Sequence, residues 1–491
     1  MVFIRSLSLA ALVAVVAAAS RGGHRPLVTS KAYQATVSEH NLLKHAKALS
    51  KFGEINGAHT RVAGSVGHNA TVDYIKSSLD KTGFYDTFLQ TFTYTFSNGN
   101  ATFSANGTQF DAEWLTSGPS GDAEAPLVVV SNLGCTQGDF PAEVAGNIAL
   151  IQRGNCSFSD KVALAGAASA AGAIVYNNED GQIGSGTLGS TENPLGPYVP
   201  SGTLTGVDGR ALVTAVQSGQ EIVGSLHVEA ANELRWTNNV IATTKSGDQN
   251  NVVSAGGHTD SVPAGPGIND NGSGSMAILE LALQLPHFSV KNAVRFCFWA
   301  AEEFGLLGSD HYVTTLPVEE QEKIALYLNF DMIASPNFGF FIYDGDGSAF
   351  NISGPPGSDH IEKTFEDFFK HAGIPSGPTE FDGRSDYGPF LDVGIPSGGL
   401  FTGAEQNKTA DEVALWGGQA GIAYDVCYHQ SCDTVDNLNV KTWAQNTKAI
   451  AHSLATYATS LKGIPRERTG RSLLVDKVVS EPRRDPLRLW V

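Results

Sequence analysis

Apolar residues along this chain follow two rhythms, and the switches between them divide it. Between residues 40 and 83, Val72, Ile75 and Leu79 recur at helical spacing, and "NGAHTRVAGSVGHN" is dense in turn formers. Two helices joined by a loop are predicted there. "LQTFTYTFSNGNATFSANGTQF" is alternating and rich in β-branched and aromatic residues, which predicts strands. From about 110 to 230 the texture changes. "APLVVVSN", "GNIALIQRG" and "GAIVYNN" read as short apolar strands between glycine-rich turns, and "SDKVALAGAASAAG" as a small-residue helix. Acids and histidines able to make a metal site are scarce in this stretch, which is predicted to be a separate, β-rich inserted domain.

From about 235 strand and helix alternate. "NVVSAGGH", "NAVRFCFWA", "IALYLNFDMI" and "SGGLFTG" read as strands, and "SMAILELALQL", "HIEKTFEDFFKHAG" and "VKTWAQNTKAIAHSLATYATSL" as helices. Such alternation predicts an α/β domain, a mixed and mostly parallel sheet with helices on both faces.

Composition narrows the class. The 491 residues are too many for one ordinary domain, and 42% hydrophobic with 17% charged residues is a globular balance. A net charge of -18 argues against nucleic-acid binding, which rests on Lys and Arg neutralising phosphates. Arg5 followed by the apolar run Leu7–Ala19, ending in Ala17-Ala18-Ala19, reads as a secretory leader at 1–19. That run is too short for a membrane span, and no other stretch approaches the roughly 20 apolar residues a bilayer needs. An exported, soluble, monomeric protein is expected, outside the cell or, alternatively, in a vacuole.

Two further features fit export. Asn-x-Ser/Thr triplets stand at Asn69, Asn100, Asn106, Asn155, Asn351 and Asn407, candidate glycosylation sites. The cysteines group as Cys135 with Cys156 and Cys427 with Cys432, so two local disulfides are expected. Cys297, inside "VRFCFWA", is expected to be a buried free thiol.

The chemistry gathers at strand ends, where open α/β sheets bind ligands. "VVSAGGHTD" ends in His258 and Asp260, and "GPGINDNGSG" places Asp270 in a loop before a helix. "FCFWAAEE" ends in Glu302 and Glu303, "YLNFD" in Asp331, and "DVCYHQSCD" carries His429. Each alone has an ordinary explanation as a core histidine, a turn residue or an N-cap. Together, two imidazoles and three carboxylates demand a compensating cation. A donor set without thiolate suits zinc. Five ligands exceed what one open site needs and suit two zincs about 3.5–4 Å apart sharing a carboxylate. Of the adjacent acids, Glu303 can bind metal while Glu302 stays free as a general base.

"GGHTDS", "INDNGSG", "WAAEEFGLLGS", "NFDMI" and "CYHQSCDT" together resemble the co-catalytic dizinc aminopeptidases of the secreted and vacuolar kind. "GNIALIQRGNCSFSDKVALAGAASAAGAIVYNNEDG" resembles the protease-associated domain found inserted in several secreted peptidases. The likeness runs to about residue 463. It implies that His258 and Asp331 hold one zinc, Glu303 and His429 the other, and that Asp270 bridges. It also implies that Glu302 is the general base, that Asp260 orients His258, and that Tyr428 donates to the tetrahedral oxyanion. A cis peptide between Asp270 and Asn271 and a short disulfide from Cys427 to Cys432 belong to the same resemblance.

The expected organisation is a leader at 1–19, the first part of the catalytic domain at 20–109 with room for a short propeptide, and the insert at 110–230. The remainder of the catalytic domain would follow at 231–463, with a poorly ordered basic tail at 464–491. The insert is expected to be structural or lid-like, with substrate screening as the sharper alternative. The substrates would be peptides with a free N-terminus, since clustered carboxylates attract an α-ammonium group. A carboxypeptidase or dipeptidase of the same fold would need a cation for a terminal carboxylate, and Arg384 keeps that alternative open. Phe401 is a candidate wall for an apolar first-residue pocket. A serine hydrolase lacks its Gly-x-Ser-x-Gly elbow here. A glutaminyl cyclase would spare some of the ligands, and a receptor-like relative would have lost one.

Overall fold

The computed structural model describes residues 25–183 and 186–466, so the leader at 1–19 and nearly all of the tail at 464–491 lie outside the described residues. Within them the chain forms two compact units, residues 25–92 with 236–466, and residues 93–235. Among the described residues no helix is long and apolar enough to cross a membrane.

After a short helical stretch, Ser30–Gln34, the first unit forms helices α1 (Glu39–Gly53) and α2 (Val66–Asp80). Each starts at a serine whose hydroxyl accepts a first-turn N–H, Ser38 from Asn41 and Ser65 from His68. Leu42, Ala46 and Leu49 of α1 share one core with Val72, Ile75 and Leu79 of α2. Strand β1 (Tyr85–Ala105) then carries the chain into the second unit.

There β2 (Gly121–Val129), β3 (Ile148–Gln152), β4 (Gly172–Tyr176) and β5 (Ser201–Leu204) pair in parallel, each with the next. Helix α3 (Phe158–Ala167) follows β3, and α4 (Gly206–Gln217) follows β5. Residues 223–228 of β6 (Val223–Thr244) run antiparallel to β2. Alternate residues face separate cores, Ile148, Leu150 and Ile174 on one side, Ala149, Ile151 and Val175 on the other. Small residues in α3 allow close approach, since a Cβ on Gly166 would lie 1.8 Å from the Pro197 carbonyl oxygen. Cys135 and Cys156 are disulfide-bonded. The buried Lys161 ammonium donates to the Leu133 and Gly154 carbonyls beside that bridge.

The sheet of the first unit comprises the C-terminal part of β6 with β7 (Asp248–His258), β8 (Asn292–Trp299), β9 (Ile324–Phe330), β10 (Phe341–Tyr343), β11 (Gly377–Thr379) and β12 (Ser397–Phe401), in the order β11-β10-β12-β9-β7-β8-β6. The centre is parallel, β12 with β9, β9 with β7 and β7 with β8. β6 on β8 and β10 on β12 are antiparallel. Phe296, Phe298, Leu326 and Leu328 pack into one core with α5 (Gly272–Gln284), α7 (Ser358–Ala372) and α8 (Val440–Thr459). Cys297, Trp299 and Tyr327, one residue out of phase, pack into another with α6 (Leu307–Thr315). A strand apolar on both faces is what a sheet covered by helices on both sides requires. Cys297 is buried and free, and burial pushes its thiol up to about 12. Strands β10 and β11, three residues each, are too short to leave a period in the sequence.

Candidate active site

Two of the candidate ligands sit where strands of this sheet end. His258 closes β7, and Asp331 follows the last residue of β9. Asp270 precedes α5 and is joined to Asn271, the N-cap of that helix, by a cis peptide bond. Asn271 Oδ1 accepts from Gly274 N at 2.9 Å, and its amide donates to the Phe330 carbonyl at 2.9 Å, fastening the helix start to the end of β9. Contact there is so close that a Cβ on Gly274 would lie 2.0 Å from the Phe330 oxygen. Gly274 of "DNGSG" is therefore required by packing.

After β8 the chain reverses at Ala301, whose φ is 57°, into a single 3₁₀ turn, Glu302–Phe304. The turn sends the two neighbouring acids different ways. Glu303 Oε2 lies 3.1 Å from His429 Nε2, whereas Glu302 Oε2 lies 3.8 Å from His258 Nε2. His429 comes from the loop spanned by the Cys427–Cys432 disulfide.

The acids and histidines converge as two triads joined through one carboxylate. His258, Asp270 and Asp331 each bring a donor atom within 4.8 Å of the others, and so do Asp270, Glu303 and His429. Asp270 Oδ1 is 3.2 Å from His258 Nε2, and Asp270 Oδ2 is 3.2 Å from His429 Nε2. Asp331 Oδ1 stands 3.3 Å from His258 Nε2. Asp331 Oδ1 and Glu303 Oε1 are buried and accept no hydrogen bond. Buried lone pairs without donors fit a site built for divalent cations, and the imidazole and carboxylate set fits zinc.

The electrostatics of the protein groups alone carry the same mark. Burial pushes Glu303 up to about 7, with the Asp270 carboxylate adding to it. Burial likewise lifts Glu302 well above the carboxylate range, helped by Asp386 and Asp331. Burial acts in the same sense on Asp270, but hydrogen bonds to both histidines hold it below its ordinary value. His429, lowered by burial, is lifted by Glu303 and Asp270 to about 11. Crowded carboxylates thus draw protons onto this cluster where cations would otherwise sit.

Asp260 Oδ1 lies 3.7 Å from His258 Nδ1, beyond hydrogen-bond length, and accepts instead from the Glu302 backbone N–H at 3.2 Å. It therefore holds the turn that presents Glu302. Tyr428 stacks on His429 with ring centroids 3.8 Å apart, and its hydroxyl accepts from Arg384 Nη2 at 3.1 Å. Arg384 also pairs with Glu405 at 2.8 Å. Phe401 ends β12, half-buried, its ring 6.4 Å from that of Phe341. All six sequon asparagines, Asn69, Asn100, Asn106, Asn155, Asn351 and Asn407, are exposed.

Several groups that position the site carry no sequence signal of their own. Ser385 donates to Asp331 Oδ2 at 2.6 Å and ends a chain running from Trp299 through Tyr327 and Asn329. Asp433 accepts from the backbone N–H groups of Asn269 and Asp270, fixing the linking residue's loop to the His429 loop. Asp386 is fully buried beside this cluster, and burial raises it to about 8. Arg61, on the segment between α1 and α2, is also fully buried. Its guanidinium donates to the carbonyls of Thr259, Pro266 and Gly267, clamping the loop between His258 and Asp270. Burial lowers Arg61 to about 10, opposed by Asp260, Asp433, Asp270 and Glu303, so it stays charged at neutral pH. Arg61→Met strands three buried carbonyls and should lower unfolding stability by about 3 kcal/mol or more. Urea denaturation measures this, and Arg61→Lys should restore only part, because an ammonium lacks the span of the fork.

Comparison with known proteins agrees with this geometry. The model of Peptidase family M28 matches residues 239–454, and that of the PA domain matches residues 123–212. The chain is 50% identical over 441 residues to a probable leucine aminopeptidase 2 of Aspergillus fumigatus, covering 90% of this chain and 88% of that protein. It is 48% identical over 449 residues to leucine aminopeptidase 2 of Trichophyton rubrum, covering 91% and 90%. Among solved structures, an aminopeptidase from Aneurinibacillus sp. strain AM-1 superposes with a TM-score of 0.69 at 28% identity, covering 86% of this chain and 94% of that one. BSAP, a zinc aminopeptidase from Bacillus subtilis, shares the fold with a TM-score of 0.59 at 24% identity, covering 91% and 98%. The chain belongs to peptidase family M28 and carries a PA domain within it.

Proposed function

We propose that this protein is a secreted zinc aminopeptidase that removes N-terminal residues, apolar ones such as leucine, from peptides. The observation that carries the reading is the pair of triads sharing Asp270, one of its oxygens beside each histidine. His258 and Asp331 would hold one zinc, Glu303 and His429 the other, and Asp270 both. Bound zinc would supply Lewis acidity, polarising the scissile carbonyl and acidifying water.

The chain's own groups do the rest. Glu302 belongs to neither triad yet borders His258 at 3.8 Å, so its carboxylate is free to take the proton of the attacking water and return it to the leaving amine. Asp260, through the Glu302 amide, keeps that turn in place. The Tyr428 oxygen accepts from Arg384, which leaves the phenolic proton to donate to the developing oxyanion. Arg384, paired with Glu405, is poorly placed to hold a substrate carboxylate. That favours an amino-terminal substrate over the carboxypeptidase or dipeptidase alternative. Phe401 would form part of the wall for the first side chain. The leader at 1–19, the exposed sequons and the two disulfides support export to the medium, with a vacuole as the other destination.

Leucine 4-nitroanilide should be hydrolysed and its N-acetylated form should not, with activity lost on chelation and regained with zinc. Equal cleavage of both substrates would refute the aminopeptidase reading. Glu302→Gln should retain zinc while kcat falls by about 10²–10⁴-fold. Ser385→Ala removes the hydrogen bond that orients Asp331 and should weaken zinc binding about 10–100-fold, read by competition with a chromogenic chelator.

A further inference from the structure

A second group of acids lies away from these ligands, where β10 ends. The sequence "YDGDG" places Asp344 directly after that strand and Asp346 two residues on, and Glu362 reaches the same point from the second turn of α7. Each of the three offers one oxygen, and these atoms lie within 4.8 Å of one another. Asp344 is 0% exposed and Glu362 8%. Backbone amides shape the cluster on one side. Asp344 Oδ2 accepts from Ala349 and Phe350 at 3.0 and 2.9 Å, and Glu362 Oε2 from Gly345 and Asp346 at 2.9 and 3.1 Å. Asp346 Oδ1 accepts from Ser348 N at 2.8 Å.

Independently of the clustering, the other Asp344 oxygen, Oδ1, is shut off from solvent and has no hydrogen-bond partner. A buried carboxylate oxygen without a donor is a rare and unfavourable state unless a cation completes it. The charged groups acting on Glu362 are Asp346, Asp344 and Glu366, all acidic, and burial with this repulsion pushes its carboxyl up to about 7. No imidazole or thiolate belongs to the group, so its donors are hard oxygens.

We propose that Asp344, Asp346 and Glu362 form a calcium site, separate from the zinc ligands and structural in effect. Calcium tolerates the irregular geometry of a short loop against a helix, whereas magnesium demands a near-ideal octahedron. One residue connects the site to the segment 384–386. Tyr343, next to Asp344, stacks on Phe381 with centroids 5.1 Å apart and meets Tyr387 at 4.7 Å. Phe381 and Tyr387 bracket the segment holding Arg384, Ser385 and Asp386. A cation that fixes Asp344 therefore stiffens the platform beneath that segment.

The test uses the zinc-loaded full chain in calcium-free buffer at fixed zinc, titrated with calcium chloride by calorimetry and by thermal unfolding, with magnesium chloride in parallel. The expected result is one calcium per chain with Kd about 10⁻⁴–10⁻³ M, the range of extracellular calcium modules. The unfolding midpoint should rise by roughly 3–5 °C at saturation. Asp346→Asn, exposed and safe for folding, should weaken calcium binding at least tenfold, as should Asp344→Asn, while calcium-free leucine-anilide turnover of Asp346→Asn stays at the wild-type level. A flat calcium titration, as expected if shared protons alone hold the cluster, would overturn the proposal. So would equal binding by wild type and Asp346→Asn, or magnesium matching calcium. The readout is binding, so it stands or fails separately from the proposed hydrolysis.

Discussion

Burial of several like charges in one place is the constraint to which the catalytic unit is built. Asp260, Asp270, Glu302, Asp331 and Asp386 are all at most 9% exposed, and His258, His429 and Arg61 are among the few basic groups that oppose them. An arrangement of that kind is intolerable in a low dielectric without cations or bound protons. The tight glycine contacts around α5, the reversal at Ala301 and the network through Asp433 all hold these acids together against their mutual repulsion.

The rigidity needed for this comes from the sheet. Parallel strands apolar on both faces make an inflexible floor, and all the candidate ligands sit at its carboxyl edge, where helix starts and loops meet. Asp331 and the loop that carries Asp270 are then held by partners from distant parts of the chain. Ser385 holds Asp331, Asp433 holds the Asp270 amide, and Arg61 holds the loop between His258 and Asp270. Positioning through locked second contacts is what separates a metal site from a mere gathering of acids.

Glu302 and Glu303 show how one local feature separates two functions. Adjacent in sequence and similar in burial, they differ only because the chain turns left-handed at Ala301 and sends one toward His429 and the other toward His258. A regular strand continuing through these residues would also have parted them, but to opposite faces of the sheet, where they could not share a site.

Much of this was written in the order of residues alone. The strands ending in "GGH", "WAAEE" and "NFD", the loops "INDNGSG" and "CYHQSCD" and the change of texture between the two units follow from local periodicity and residue type, which a single sequence displays. What the sequence could not display was any role set by contact across long separations. Arg61 meets its carbonyl partners about 200 residues away, Ser385 meets Asp331 across 54 residues, and Asp433 meets Asp270 across 163. The same holds for Asp260, which faces His258 at 3.7 Å and whose carboxylate also accepts from the Glu302 amide 42 residues on. Residue type fixes what chemistry a side chain can perform. Only the folded chain decides which atoms lie near enough for it to be performed.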